Sequence, residues 1–70
     1  MKIKGYVARD ENKEIFVYRV DVKKSKYNKI WVPKKIHPDI VFFKLHTNSF
    51  PNVKWTNKKP TEVMIEIKEI

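Results

Sequence analysis

The chain reads as all-β: a small antiparallel barrel or a curved sheet of five to six short strands. Three observations predict this. No window places apolar residues at i, i+3, i+4 and i+7 over three turns, so amphipathic helices are not expected. Runs of β-branched and aromatic residues recur between turn-forming clusters. The chain has 70 residues, room for one domain, residues 1–70.

Residues 3–9 read as the first strand, with Gly5 allowing a bulge or a close backbone approach. Residues 10–13, Asp-Glu-Asn-Lys, form a turn to a second strand over 14–20. That turn lacks glycine, so Asn12 or Lys13 is expected to hold a positive φ, which in Lys costs about 1 kcal/mol. Ile15, Phe16, Val17 and Tyr18 run consecutively, which requires cover on both faces of the second strand. Residues 21–28 read as a polar, basic loop, and 29–32 as a short strand stopped by Pro33. Pro33 and Pro38 make 34–39 irregular.

Residues 40–46 are a further strand. Ile40, Phe42 and Lys44 share one face; Val41, Phe43 and Leu45 share the other, which is the expected core face. A loop over 47–52 leads to a short strand over 53–56 around Trp55, then a turn over 57–60. Residues 61–70 alternate most cleanly, with Val63, Ile65 and Ile67 on one side and Glu62, Glu66 and Lys68 on the other.

A domain this size buries only about 60% of its unfolded surface. It has no cysteine, hence no disulfide and no thiolate metal site. Nine aromatic residues compensate, each able to bury roughly 150–250 Å². No apolar run approaches the ~18 residues of a membrane span, and Lys2 and Lys4 flank a lone Ile3 where a signal peptide would be apolar. A soluble, intracellular protein is the expectation.

The positive charge is concentrated. Arg19, Lys23, Lys24, Lys26, Lys29, Lys34 and Lys35 face only Asp21, leaving +6 of the net +8 within 17 positions. Tyr27 and Trp31 lie inside the same run. Clustered cations interleaved with aromatics suit a ligand carrying phosphate and a base. The total is weaker evidence than the clustering: Lys outnumbers Arg fourteen to two, a bias that an AT-rich genome yields unselected.

Catalysis and metal binding lack a constellation. His37 and His46 are separated by a proline and a strand, and a metal needs three or four convergent ligands. Ser25 and Ser49 have no base within reach by sequence. Gly5 is the one glycine, so no phosphate-cradling loop exists. The chain is read as a non-enzyme without metal or cofactor. Arg9 and Asp10 are a conspicuous pair. Either Asp10 makes a local turn bond with Arg9 solvated or paired to Asp10 or Glu11, or Arg9 clamps a phosphate or carboxylate.

Residues 5–18, with Tyr6-Val7-Ala8-Arg9-Asp10, a turn and an apolar strand, resemble the opening of small proteins of bacteriophages and prophages. Phe50-Pro51-Asn52-Val53-Lys54-Trp55, followed by Pro60 and Val63-Met64-Ile65, is similar to their ending, and Trp31 matches a mid-chain aromatic. The two blocks cover about half the chain. At Asn12-Lys13 the chain departs from the Asp-Gly or Asn-Gly usual in those relatives. The resemblance implies a phage-type accessory protein acting in the cytoplasm of a bacterial host, without implying a mechanism.

The first expectation is therefore capture of a phosphate-bearing nucleotide; by analogy from the phage origin, that nucleotide is a signal of host immunity sequestered by the phage. Arg9, Arg19, Lys23, Lys24, Lys26 and Lys29 would supply charge, and Tyr27 or Trp31 would stack the base. A 70-residue barrel cannot enclose a nucleotide alone, so this reading expects a homo-oligomer. The acidic last strand, set against the basic run of a neighbour, is one route to it. The second expectation is single-stranded nucleic acid along an open groove; the third is an inhibitor or adaptor of an acidic host protein.

Overall fold

A computed structural model describes residues 1–35, 41–66 and 68. Among the described residues six strands form in chain order: β1 Lys2–Arg9, β2 Ile15–Tyr18, β3 Val22–Ser25, β4 Ile30–Pro33, β5 Val41–Leu45 and β6 Thr61–Glu66. They make two antiparallel sheets, one of four strands in the order β5-β2-β1-β6 and one of two strands, β3-β4. The four-stranded sheet stays open, with β5 and β6 at its edges. Among the described residues no closed barrel forms, and the open sheet is compatible with the curved-sheet expectation.

Pairing divides the residues between two faces. Val7 lies opposite Val17 and Gly5 opposite Val63. The resulting cluster holds Val7, Ile15, Val17 and Val53, with Leu45, Val63 and Ile65 packed on it. The other face carries Ala8 and Tyr18, onto which the hairpin β3–β4 lays Val22 and Trp31, with Tyr6, Phe16 and Trp55 around them. The run Ile15 to Tyr18 thus serves two small cores at once, as its unbroken apolar character requires.

The β1–β2 turn has its positive φ at Lys13, 76°. Asp10 N–H donates to the Glu14 carbonyl and Lys13 N–H to the Asp10 carbonyl, closing it.

Several expectations need correction. The basic loop over 21–28 contains β3, whose Val22 is fully buried. Residues 53–56 form no strand: Val53 N–H donates to the Phe50 carbonyl, and Asn57 N–H to the Lys54 carbonyl, so the segment turns. On β5, Val41 and Phe43 remain 41% and 47% exposed and only Leu45 joins the core. The reason is position: β5 is an edge strand, and its outer residues overhang Val17 and Tyr18. Ile40, Ile67 and the Phe42 side chain lie outside the described residues, as does His37.

Gly5 permits a close approach. A Cβ there would stand 2.8 Å from Ile65 Cδ1 and 3.4 Å from Val17 Cγ1. Gly5→Ala must push the Ile65 terminal methyl off its rotamer, at about 1 kcal/mol. Urea denaturation is expected to show that loss, and to show it vanish in an Ile65→Val background, where the obstructing methyl is gone. Strictly additive penalties would contradict this packing.

Candidate nucleic-acid interface

The candidate surface lies on the β3–β4 hairpin. Its base is closed twice: Lys34 N–H donates to the Asp21 carbonyl at 3.1 Å, and Lys34 Nζ meets Asp21 Oδ2 at 2.8 Å. Pairing runs Val22↔Pro33, Lys23↔Val32, Lys24↔Trp31 and Ser25↔Ile30. The tip closes where Lys29 N–H donates to the Ser25 carbonyl at 2.8 Å, with Lys29 at φ 60°. Glu11 N–H reaches the Lys29 carbonyl at 3.3 Å, joining the tip to the β1–β2 turn.

Alternation sorts the side chains. Val22, Lys24 and Trp31 share the inner face. The Lys24 ammonium lies 5.5 Å from the Trp31 ring and 4.9 Å from Trp55, an attraction worth about 0.5–2 kcal/mol. Lys23, Lys26 and Lys29 are exposed. Tyr27, at the tip, is 95% exposed. Four of the eight residues expected to bind, Lys23, Lys26, Tyr27 and Lys29, therefore share one solvent-facing ribbon.

The other four are placed differently. Trp31 is buried against Trp55 in an edge-on pair, 6.1 Å between centroids. Its indole N–H donates to the Arg9 carbonyl at 2.7 Å, and its main-chain N–H to Asp10 Oδ1 at 3.0 Å. It is a core residue and offers no stacking platform. Lys24 covers that pair. Arg19 is exposed in the bend after β2.

Arg9 follows neither expected role. Its Nε donates to the Val53 carbonyl at 2.7 Å, one terminal nitrogen to Lys13 and Thr47 carbonyls, both at 2.9 Å, and the other to Ser49 at 2.7 Å and Phe50 at 3.5 Å. All five guanidinium donors are engaged by backbone carbonyls. Arg9 thus fastens the 47–53 loop over the first core.

Asp10 is buried. Desolvation raises its pKa above the usual carboxylate value; the Trp31 N–H opposes that rise and nearby Glu14 adds to it. Burial likewise raises the Tyr18 hydroxyl, with a contribution from Asp10.

Sequence reasoning missed a groove of about 600 Å³ at the hairpin base. Tyr6 on β1, Lys34 after β4, and the 57–62 segment line it. The Asn57-Lys58-Lys59-Pro60 tetrapeptide was legible only as a turn; its proximity to Tyr6 and Lys34 is a tertiary fact. Among the described residues, no three His, Cys, Asp or Glu converge on a metal position, and no helix is long and apolar enough to cross a membrane. No family model matches the chain, and neither a curated protein nor a solved structure is found similar to it.

Arg9→Lys keeps the charge and loses the fork. Because hydrogen bonds from a charged donor contribute roughly 1.5–3 kcal/mol each, the variant is expected to lose amide protection across 47–53 in hydrogen exchange. A latch lost without effect on those amides would contradict the assignment.

For Asp10 the sign follows from the raised pKa. Folding favours the protonated acid, so as pH rises the unfolded carboxyl ionises first, from about pH 4. Its contribution to stability falls from there until the folded group ionises, and is level above. Asp10→Asn keeps an oxygen for the Trp31 N–H. Its stability relative to the unmodified protein is expected to improve across that window in pH-dependent denaturation; a pH-independent difference would refute the desolvation argument.

Proposed function

We propose that this protein binds single-stranded nucleic acid through the β3–β4 hairpin, with Tyr27 stacking a base and Lys23, Lys26 and Lys29 holding phosphates. One observation carries the reading: in a domain short of apolar burial, a tyrosine stands almost wholly in solvent at a tip flanked by lysines. Base stacking on an exposed ring is worth about 1–3 kcal/mol and tolerates any base. Lysines act as mobile point charges rather than as forks that read base edges, so the expected binding is strong in salt dependence and poor in sequence preference.

Nucleotide capture, the first expectation from sequence, is less well supported at this ribbon. None of its eight residues lines the groove at the hairpin base, and an exposed ribbon tip cannot surround a small ligand without a second subunit. The open mode needs no oligomer. A phage-type accessory role in a bacterial host, suggested by the ends of the chain, is compatible with either and belongs to the proposal.

Fluorescence anisotropy with an oligothymidylate about 10 nucleotides long tests it. Three phosphate contacts give an expected slope of log K against log salt near −2. Tyr27→Ala is expected to weaken binding roughly 5- to 150-fold with the slope unchanged. Lys23→Glu with Lys26→Glu is expected to flatten the slope. Affinity indifferent to both variants would sink the proposal.

A further inference from the structure

We infer that the groove at the hairpin base is a second site, one that takes a nucleoside monophosphate: a terminal phosphate on Lys58 and Lys59, and the flat base against Tyr6. It does not depend on the tip of the hairpin.

The charge arrangement is the first support. Both acids lining the groove already face a lysine: Asp21 meets Lys34 at 2.8 Å, and Glu62 meets Lys4 at 3.3 Å. Glu62 also raises the Lys4 pKa, through hydrogen bonding and its charge. Among the described residues, Lys58 and Lys59 have no acidic partner within 4 Å. An incoming anion therefore meets two lysines of the groove lining that no acid pairs, without breaking an ion pair. A phosphate monoester carries about −1.5 to −2 at neutral pH, whereas an internal phosphodiester carries a single charge. Two neighbouring lysines match the terminal phosphate better.

The walls are the second support. Tyr6 is half-buried, and its ring packs against the cluster of Ala8, Tyr18, Val22 and Trp31. Lys4 Nζ lies 5.6 Å from the ring centroid, so a base meets a ring already fixed by both contacts, and little ordering entropy opposes its packing there. The lysine turn is held too: Asn57 N–H donates to the Lys54 carbonyl at 3.1 Å, its side-chain amide reaches the Asn52 carbonyl at 3.4 Å, and Pro60 fixes the exit. Asn57 and Thr61 add neutral hydrogen-bonding groups suited to a sugar hydroxyl or a base edge. The volume, about 600 Å³, lies within the roughly 300–1,000 Å³ of small-ligand sites.

The same chemistry has two sources, a free mononucleotide or the 5′-phosphorylated end of a strand. From hairpin base to tip is about six residues, or ~20 Å, so a strand held at Tyr27 can bring its end to the groove.

The experiment is an amide NMR titration of the full chain with adenosine 5′-monophosphate, and with inorganic phosphate as control. Paired oligothymidylates bearing a 5′-phosphate or a 5′-hydroxyl are titrated alongside. Adenosine monophosphate is expected to shift residues 57–62 more strongly than phosphate alone. Lys58→Ser with Lys59→Ser is expected to weaken it at least about tenfold; both lysines are exposed, so the fold should persist. Tyr27→Ala is expected to leave it unchanged. A 5′-phosphate that raises oligonucleotide affinity only while Lys58 and Lys59 are present would identify the strand end as the source; no such preference, with the mononucleotide bound, would identify the free nucleotide. Absence of shifts at 57–62 with every probe, or mononucleotide binding indifferent to the lysine substitutions, would overturn the site while leaving the hairpin proposal to its own test.

Discussion

The structure depends on the corner at Arg9 and Asp10, where β1 runs past the start of β6. β6 pairs with β1 only as far as Val7, so beyond that point one side of the strand needs other partners. Arg9 supplies them. Its side chain collects the carbonyls of the 47–53 loop on one face. Its own carbonyl accepts the Trp31 indole N–H, and the Asp10 carboxylate accepts the Trp31 main-chain N–H. Two consecutive residues thereby fix a loop and a hairpin to the same end of the sheet. Among the described residues no buried side-chain polar atom is left without a partner, which a domain with so little apolar burial requires.

The two cores are small, and each depends on cover from outside the sheet: Val53 for one, Val22 and Trp31 for the other. The hairpin is therefore structural on its inner face and free for contact on its outer one. Lys24 illustrates the division. It belongs by sequence to the basic run, yet its ammonium lies over two tryptophans and its stem shields apolar surface from water. Lys23, Lys26 and Lys29, by contrast, stay exposed on the outer face of the hairpin.

Much of the fold was legible in the residues. β1, β2, β4, β5 and β6 follow from β-branched and aromatic runs bounded by turns, and a positive φ at Asn12 or Lys13 follows from a tight turn without glycine; the structure places it at Lys13. β3 was hidden because Val22-Lys23-Lys24-Ser25 has one apolar residue; it becomes a strand through pairing with β4 and burial of Val22. Trp55 suggested a strand that does not form, because the amide and carbonyl of Val53 bond to Phe50 and Arg9 and leave no ladder.

By itself the sequence determined the all-β class, most strand positions and the existence of a basic, aromatic-bearing segment, since each depends on local propensity, alternation and charge. Only the tertiary structure decided that Arg9 is a latch, that Trp31 packs edge-on against Trp55, and that Lys58 and Lys59 line one groove with Tyr6. Those are outcomes of contacts between residues tens of positions apart. No local pattern states which carbonyls will surround a guanidinium, or which residues a tryptophan will pack against.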